Sequence, residues 1–330
     1  MTGRPPLLVI AGPTASGKTA LACALADPLN AEVVSADSQQ CYRGLDIGTA
    51  KPTLAERALA RHHLLDVADP EEQLDAAAFV RLADAAIADI HARGKRAIVA
   101  GGTGLWIRAL LRGLLEAPGA NLEFRARFRE ELKECGLPAM HDRLARVDPA
   151  GARAISAFDR VRMERALEVH ALTGRPLSEL QREHGFRAPR YPARVLLVDP
   201  ARELLVERIR QRTAGLYRGG ETAPLLVETR RLLLRIQTVP AAARALKIIG
   251  YAEAAAALAE GASAAALRRA EEATAARTRQ YAKRQRTWFR KDALALDELG
   301  APWLAPPAGP VADSAQGLCE PLRQWYEATR

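Results

Sequence analysis

The chain has 330 residues, of which 48% are hydrophobic and 26% are charged, a composition typical of a globular protein. No apolar run approaches the roughly 20 residues that a transmembrane helix needs, and the apolar run near the N-terminus is too short for a secretory signal. The four cysteines show no C-x-x-C pairing, which favours reduced cysteines in a cytoplasmic protein. The formal net charge of +9 fits either a polyanionic partner or a generally basic composition.

Strand-like and helix-like segments alternate along the first hundred residues and again near residue 200. Short apolar, partly β-branched runs predict buried parallel strands at Leu7–Ala11, 32–35, 97–100 and 194–198. Helical composition and spacing predict helices at Lys18–Ala26 and Ala76–Ala92, and a further helix that begins near Arg202. This alternation predicts an α/β fold with a doubly wound parallel sheet.

The alternation breaks between about residues 114 and 185. That stretch has many arginines and glutamates at helical spacing and no convincing strand, so it predicts a helical insertion. We therefore expect a core made of residues 1–112 and 190–330, and an insertion domain at residues 113–189. The last part of the chain predicts helices within 227–290, a Pro/Gly-rich surface loop at 300–310 and a final helix at 314–328.

Residues 12–19, here called the phosphate loop, match the P-loop sequence G-x-x-x-x-G-K-[ST] between an apolar strand and a helix. Two glycines let backbone N–H groups turn toward phosphate oxygens, and the helix adds its positive N-terminal end. Lys18 supplies a positive charge, and the hydroxyl of Thr19 is a suitable ligand for Mg²⁺. The residues predicted to bind a di- or triphosphate are Gly12, Thr14, Ala15, Ser16, Gly17, Lys18 and Thr19. The loop alone does not determine which bond breaks.

Asp37 follows the second predicted strand, and ligands of open α/β sheets bind beyond the carboxyl ends of the strands. We therefore expect the Asp37 carboxylate to face the phosphate loop. Two functional roles fit this position: an indirect contact with Mg²⁺, and a general base that takes a proton from an attacking nucleophile. A helix N-cap without a catalytic role is a third interpretation, because Asp is common at such positions.

Several segments resemble one known family. Residues 35–52, Ser-Ala-Asp-Ser-Gln-Gln-Cys-Tyr-Arg-Gly-Leu-Asp-Ile-Gly-Thr-Ala-Lys-Pro, are similar to the segment after the P-loop in tRNA dimethylallyltransferases. These isopentenyl transferases modify the adenosine next to the anticodon, and the phosphate loop resembles their form of the P-loop. Further similar segments are His-His-Leu-Leu-Asp at 62–66, Gly-Gly-Thr-Gly at 101–104, Arg-Ala-Leu-Glu-Val at 165–169, Thr-Gly at 173–174 and Thr-Arg-Gln-Tyr-Ala-Lys-Arg-Gln at 278–285.

The resemblance implies transfer of a dimethylallyl group from dimethylallyl diphosphate to N6 of the adenosine 3′ of the anticodon, position 37 of tRNA. Residues 14–19 would then hold the departing diphosphate together with Mg²⁺, and Asp37 would take the proton of the attacking amine. Arg208 and Arg212 resemble the diphosphate-facing arginines of the family, although a solvated helix face is an alternative. Thr103 resembles a position near the target base, so we predict Asp37 and Thr103 as catalytic.

Residues 273–291 contain basic residues but no acidic one. On a helix, one stripe, here called the basic stripe, is formed by Arg279, Lys283, Arg286 and Arg290. Self-repulsion along such a stripe would be relieved by an RNA backbone, and a solvated helix is the alternative. We expect Tyr281 and Trp288 to pack on the core. With the resemblance, the predicted tRNA contacts are Asp37, Ser38, Gln39, Gln40, Thr103, Arg125, Val161, Arg162, Met163, Glu164, Arg165, Lys247, Gly250, Tyr251, Thr278, Arg279, Gln280, Lys283, Arg284 and Gln285.

The chain departs from the family pattern in two places. Val161 stands where the family usually has Gln, which puts one polar contact with the RNA in doubt. Residues 216–228 fit poorly, because they are longer than the usual short turn with its acidic pair. This longer segment could alter access to the diphosphate.

Two other classes of protein remain open from the residues. A small-molecule or nucleotide kinase would use the phosphate loop but leaves the basic stripe without a purpose. An RNA-binding protein, inactive or driven by ATP, would explain the charge but not Asp37. We expect a cytoplasmic monomer with Mg²⁺ as cofactor, whose partners are dimethylallyl diphosphate and the anticodon stem-loop of tRNA, and no membrane.

Overall fold

The computed structural model of the protein describes residues 4–185, 189–291, 303–304 and 311–329. The chain divides into two compact units. The first, here called the core unit, comprises Met1–Leu111 and Arg190–Arg330. The second, the inserted unit, comprises Arg112–Pro189. Each unit has a hydrophobic core of its own.

A parallel sheet forms the centre of the core unit. Its strands are β1 (Leu7–Ala11), β2 (Ala31–Ser35), β3 (His62–His63), β4 (Arg96–Gly101), β5 (Ala193–Val198) and β6 (Trp303–Leu304). The order across the sheet is β3-β2-β4-β1-β5-β6, and every pairing is parallel. The predicted α/β fold with a parallel sheet is confirmed.

Two of these strands, β3 and β6, are not predicted from the sequence, because two residues are too few to show a strand pattern. The strand β6 lies inside the predicted loop 300–310. The remaining residues of that loop lie outside the described part of the chain.

Helices connect the strands and make up the inserted unit. In chain order the α-helices are α1 (Lys18–Ala26), α2 (Leu54–Leu59), α3 (Ala76–Ala92), α4 (Gly104–Arg112), α5 (Leu122–Val147), α6 (Pro149–Ala154), α7 (Arg160–Thr173), α8 (Leu177–His184), α9 (Arg202–Tyr217), α10 (Pro224–Thr238), α11 (Tyr251–Ala259), α12 (Ala264–Lys291) and α13 (Val311–Ala328). Short 3-10 helices occur at Gly220–Thr222 and Pro240–Lys247. The predicted helical stretch 227–290 is therefore interrupted, and α10 ends just before Pro240 because proline disfavours a helical residue before it.

Apolar layers cover both faces of the sheet. Leu7 and Val9 of β1 pack in one layer with Phe79 of α3. Leu8 and Ile10 pack in the opposite layer with residues of α1 and α13. All of β1 is buried, which explains why its sequence is continuously apolar instead of alternating.

A separate apolar cluster joins α9, α10, α11 and the beginning of α12. It contains Tyr217, Leu225 and Tyr251, together with Leu45 from the loop after β2. The loop after β2 is thereby attached to the C-terminal helices of the core unit.

The inserted unit consists of α5 to α8, in agreement with the helical character predicted for this part of the chain. Its core includes Phe124, Phe128, Met140 and Met163. Gly136, with φ of 76°, breaks the regular backbone inside α5. Among the described residues, every helix is either too short or too polar to cross a bilayer.

Candidate active site

The phosphate loop connects β1 to α1 through a tightly curled backbone. Ala15 and Gly17 both adopt left-handed conformations, with φ of 62° and 100°. Gly12 is needed for space, because a Cβ atom there would lie 2.3 Å from the carbonyl oxygen of Val198. This geometry places the N-terminus of α1 directly behind the loop, so backbone N–H groups and the positive end of the helix face the same point.

Lys18 lies within this curl. Its Nζ donates a hydrogen bond to the carbonyl oxygen of Pro13 at 2.5 Å. Burial lowers the pKa of Lys18 to about 8, although the nearby carboxylate of Asp37 opposes this effect. A bound anion would stabilise the protonated amine, so the side chain is suited to hold a phosphate.

Two arginines from α9 reach the phosphate loop. Arg208 Nη1 donates to the carbonyl oxygen of Ser16 at 2.9 Å, and Arg212 Nη1 donates to Thr14 Oγ1 at 3.2 Å. Burial lowers the pKa of Arg212, and Asp37 opposes this effect. Among the described residues, Ser16 Oγ is buried without a hydrogen-bond partner. Concentrated positive charge beside a buried unpaired hydroxyl fits an anionic ligand with several oxygens.

The segment after β2 lies beside the end of β4. The backbone N–H of Ser38 donates to Thr103 Oγ1 at 3.0 Å, and the N–H of Gln39 donates to Asp37 Oδ1 at 2.9 Å. These bonds fix Asp37 and Thr103 on neighbouring strand ends, as expected for residues that act on one ligand.

A cavity of about 430 Å³ is lined by some of these groups. Its wall includes predicted site residues from five parts of the core unit: Thr14, Asp37, Gln39, Arg212, Lys247, Thr278, Gln280 and Arg284. Leu216, Ile248 and Ile249 add an apolar surface to the same cavity. The cavity therefore offers cations and a carboxylate together with a small apolar surface.

The wall also contains residues that are not predicted as site residues. Leu216 and Ile248 supply apolar surface, and Tyr281 lines the cavity instead of only packing on the core. Trp288, in contrast, packs against the core as predicted. Apolar residues on helices carry no signal that separates a cavity wall from a core, so the sequence could not identify them.

Gln285, which is predicted as a tRNA contact, forms hydrogen bonds within the protein. Its side chain is buried; Oε1 accepts from the backbone N–H of Thr14 at 2.8 Å and Nε2 donates to the carbonyl oxygen of Gly102 at 2.9 Å. The amide therefore links α12 to the phosphate loop. Both ends of the amide are used within the protein, so the side chain has a structural role here, and its contact with tRNA stays a prediction.

Three other predicted tRNA contacts of the core unit, Gln40, Gly250 and Tyr251, also have structural roles. Gln40 Nε2 donates to the carbonyl oxygen of Ala50 at 2.8 Å, and its Oε1 accepts from Ser35 Oγ at 3.3 Å, so the side chain holds its own loop. Tyr251 is fully buried, and its neighbour Gly250 begins α11 with φ of 103°. The Tyr251 side chain is therefore not exposed, whereas Gln40 is half-buried, and the contacts of these residues with tRNA stay predictions.

In the inserted unit the predicted contacts divide by burial. Met163 is completely buried in the core of the unit, and Glu164 is also buried, so neither presents a free side chain. Val161 and Arg162 are exposed.

The remaining two predicted contacts of this unit, Arg125 and Arg165, form ion pairs with the buried carboxylate of Glu168 at 2.8 and 2.6 Å. Burial would raise the pKa of Glu168, but the hydrogen bonds from both arginines outweigh it and hold the pKa at about 2. Both arginines therefore have a structural partner.

The basic stripe is continuous in sequence but divided in the structure. Arg286 and Arg290 both form ion pairs with Asp199, at 2.6 and 2.9 Å. Arg279 and Lys283, one to two turns earlier, are exposed. Asp199 thus offsets part of the positive charge in the C-terminal half of the stripe, whereas Arg279 and Lys283 keep the predicted exposure.

A parallel α/β sheet with a P-loop, a cluster of cations and a carboxylate at the strand ends defines a P-loop protein built to bind a phosphorylated ligand. The family model of IPP transferases matches residues 40–292. The chain belongs to the IPP transferase family.

Individual relatives agree with this assignment. A tRNA dimethylallyltransferase of Anaeromyxobacter dehalogenans is 53% identical over 306 residues, which cover 93% of this chain and 97% of the relative. A tRNA dimethylallyltransferase of Myxococcus xanthus is 48% identical over 318 residues, which cover 96% of this chain and 98% of the relative.

Solved structures are similar over nearly the whole chain. A full-length tRNA isopentenylpyrophosphate transferase from Bacillus halodurans has a TM-score of 0.66 and 32% identity, covering 99% of this chain and 98% of that chain. A eukaryotic dimethylallyltransferase acting on tRNA has a TM-score of 0.76 and 28% identity, covering 92% of this chain and 74% of that one.

Proposed function

We propose that the protein transfers a dimethylallyl group from dimethylallyl diphosphate to N6 of the adenosine at position 37 of tRNA and releases diphosphate. The observation that carries the proposal is the cavity in which cations, a carboxylate and an apolar surface meet. A phosphorylated substrate with a short hydrocarbon group needs the cations for its phosphates and the apolar surface for its hydrocarbon. An amine nucleophile needs the carboxylate as a base.

The phosphate loop holds the diphosphate. Lys18, Arg208 and Arg212 neutralise the charge that develops on the leaving group, and the hydroxyl of Ser16 supplies a hydrogen bond. No cluster of three or more potential metal-ligating His, Cys, Asp or Glu side chains occurs among the described residues. Mg²⁺ fits this donor set, because it commonly binds substrate phosphates, water and few protein oxygens; Thr19 would supply such an oxygen.

Asp37 acts as the general base. The N6 nitrogen attacks C1 of the allylic group, the C1–O bond breaks, and its electron pair leaves with the diphosphate. The proton of N6 passes to the Asp37 carboxylate. Thr103, held by the backbone N–H of Ser38, orients the base that reacts.

The RNA partner is the anticodon stem-loop of tRNA. The protein acts as a monomer in the cytoplasm. The target nucleotide and its neighbours are contacted by Ser38, Gln39, Lys247, Thr278, Gln280 and Arg284. The RNA backbone or the anticodon loop is contacted by four exposed residues: Arg279, Lys283, Val161 and Arg162.

The direct test is incubation of the protein with radiolabelled dimethylallyl diphosphate, Mg²⁺ and an unmodified tRNA transcript. We expect label to move to the tRNA, and a transcript with guanosine at position 37 is the matched control without the reactive amine. ATP in place of dimethylallyl diphosphate should give no turnover. ATP consumption without label transfer would instead indicate a kinase or an ATP-driven RNA-binding protein.

A further inference from the structure

One buried carboxylate outside the predicted site holds the loop after β2. Glu228 on α10 is 6% exposed. Its carboxylate accepts hydrogen bonds from the backbone N–H groups of Asp46 at 2.7 Å, Ile47 at 3.0 Å and Gly48 at 3.1 Å. It also accepts one from the hydroxyl of Tyr251 at 2.5 Å.

When three successive backbone N–H groups converge on one carboxylate, the backbone of those residues is held in one defined conformation. Bonds to an ionised acceptor are stronger than those between neutral groups, so Glu228 determines where residues 46–48 lie. Burial and the neighbouring carboxylate raise the pKa of Tyr251, which keeps its hydroxyl a donor. The ring of Tyr251 also fixes the loop sterically, because a Cβ atom on Gly48 would lie 2.5 Å from it.

The loop held in this way reaches the phosphate loop through one arginine. The carbonyl oxygen of Gly48 accepts a hydrogen bond from Arg212 Nη2 at 3.3 Å. The other terminal nitrogen of the same guanidinium donates to Thr14 Oγ1 at 3.2 Å. Gly48 and Arg212 both line the cavity. The orientation of this planar group therefore depends on the position of the Gly48 carbonyl.

We propose that Glu228 is a positioning residue for the diphosphate: it fixes the Gly48 carbonyl, which orients Arg212 toward the phosphate loop. The inference rests on the proposed function only in naming the ligand. Glu228 ends the segment 216–228 that departs from the family pattern. The 3-10 turn Gly220–Thr222 and the first turn of α10 thus lead the chain to this carboxylate.

The test is a double-mutant cycle on the full-length protein, with inorganic diphosphate and Mg²⁺ as the probe. Glu228→Gln keeps the shape of the side chain, but it replaces one acceptor oxygen with an NH₂ group that faces backbone donors. We expect the Kd for diphosphate to rise about tenfold and the Kd for tRNA to stay unchanged. In an Arg212→Ala background, Glu228→Gln should cause no further loss, because the two residues act through one path.

Glu207→Gln is the matched control, since Glu207 pairs with Arg210 on an exposed part of α9; it should bind diphosphate like the wild type. If Glu228→Gln does not fold, Glu228→Asp replaces it, and the same cycle with a smaller expected loss is measured. An unchanged Kd with a lowered Tm, or equal losses with and without Arg212, would overturn the proposal. Diphosphate binding does not require prenyl transfer. The Kd values for diphosphate would therefore test the role of Glu228 even if the protein did not catalyse the proposed reaction.

Discussion

The phosphate loop and α12 both contribute to the candidate site, but they teach different lessons. In the loop, function depends on the backbone: glycines and left-handed residues aim N–H groups at one point, and a local sequence specifies that geometry. In α12, function depends on which face each side chain occupies. Tyr281 and Gln280 line the cavity, Ala282 and Phe289 pack inside, and Lys283 is exposed. The local sequence does not specify which face of α12 is buried; only packing against the rest of the core unit does.

The largest expected effect concerns Asp37, which lies in the cavity that both regions line. Asp37→Ala should lower kcat by about 10²- to 10⁴-fold, because a general base contributes that much to proton transfer. The affinity for tRNA should change little, and a gel-shift titration measures it. Asp37→Asn is the isosteric comparison, with a similar loss expected. Parallel loss of tRNA binding would identify Asp37 as a structural cap.

The second prediction sharpens the account of the phosphate loop. The pKa of Lys18 is lowered to about 8 in the free protein, and a bound diphosphate would raise it. Affinity for dimethylallyl diphosphate should therefore be full below about pH 8 and fall by up to tenfold per pH unit above it, until the pKa of the bound state is passed. Lys18→Met removes the titrating group and corrects for ionisation of the ligand. Parallel pH profiles of wild type and Lys18→Met would contradict this assignment.

Much of the fold follows from local sequence. The buried run of β1 and the limits of α1 and α3 are predictable, since continuous apolar residues and helix-capping groups such as Asp75 act locally. The two-residue strands are not predictable, because their pairing partners alone define them. The burial of Met163 and Tyr251, both predicted as RNA contacts, was not predictable for a related reason: a sequence match does not show whether a side chain is buried.

The third prediction sharpens the account of α12. Gln285→Ala removes the amide that joins Thr14 and Gly102. Because this leaves the partly buried N–H of Thr14 in the phosphate loop without its acceptor, diphosphate affinity should fall about tenfold. Affinity for tRNA should stay the same, in contrast to the contact predicted from sequence. Gln211→Ala on an exposed part of α9 controls for loss of a glutamine. Reduced tRNA binding with normal diphosphate binding would restore Gln285 to the RNA interface.

The smallest effect should come from the exposed half of the basic stripe. Arg279→Gln with Lys283→Gln removes two charges, so tRNA affinity should fall roughly fivefold at physiological salt, and the slope of log K against log[salt] should decrease by about 2. Arg286→Gln is the matched control: Arg286 already pairs with Asp199, so its loss should lower stability without changing that slope. An unchanged slope in the double variant would remove α12 from the RNA interface. A changed slope in Arg286→Gln would mean that the RNA displaces Asp199 and that the whole stripe takes part in binding.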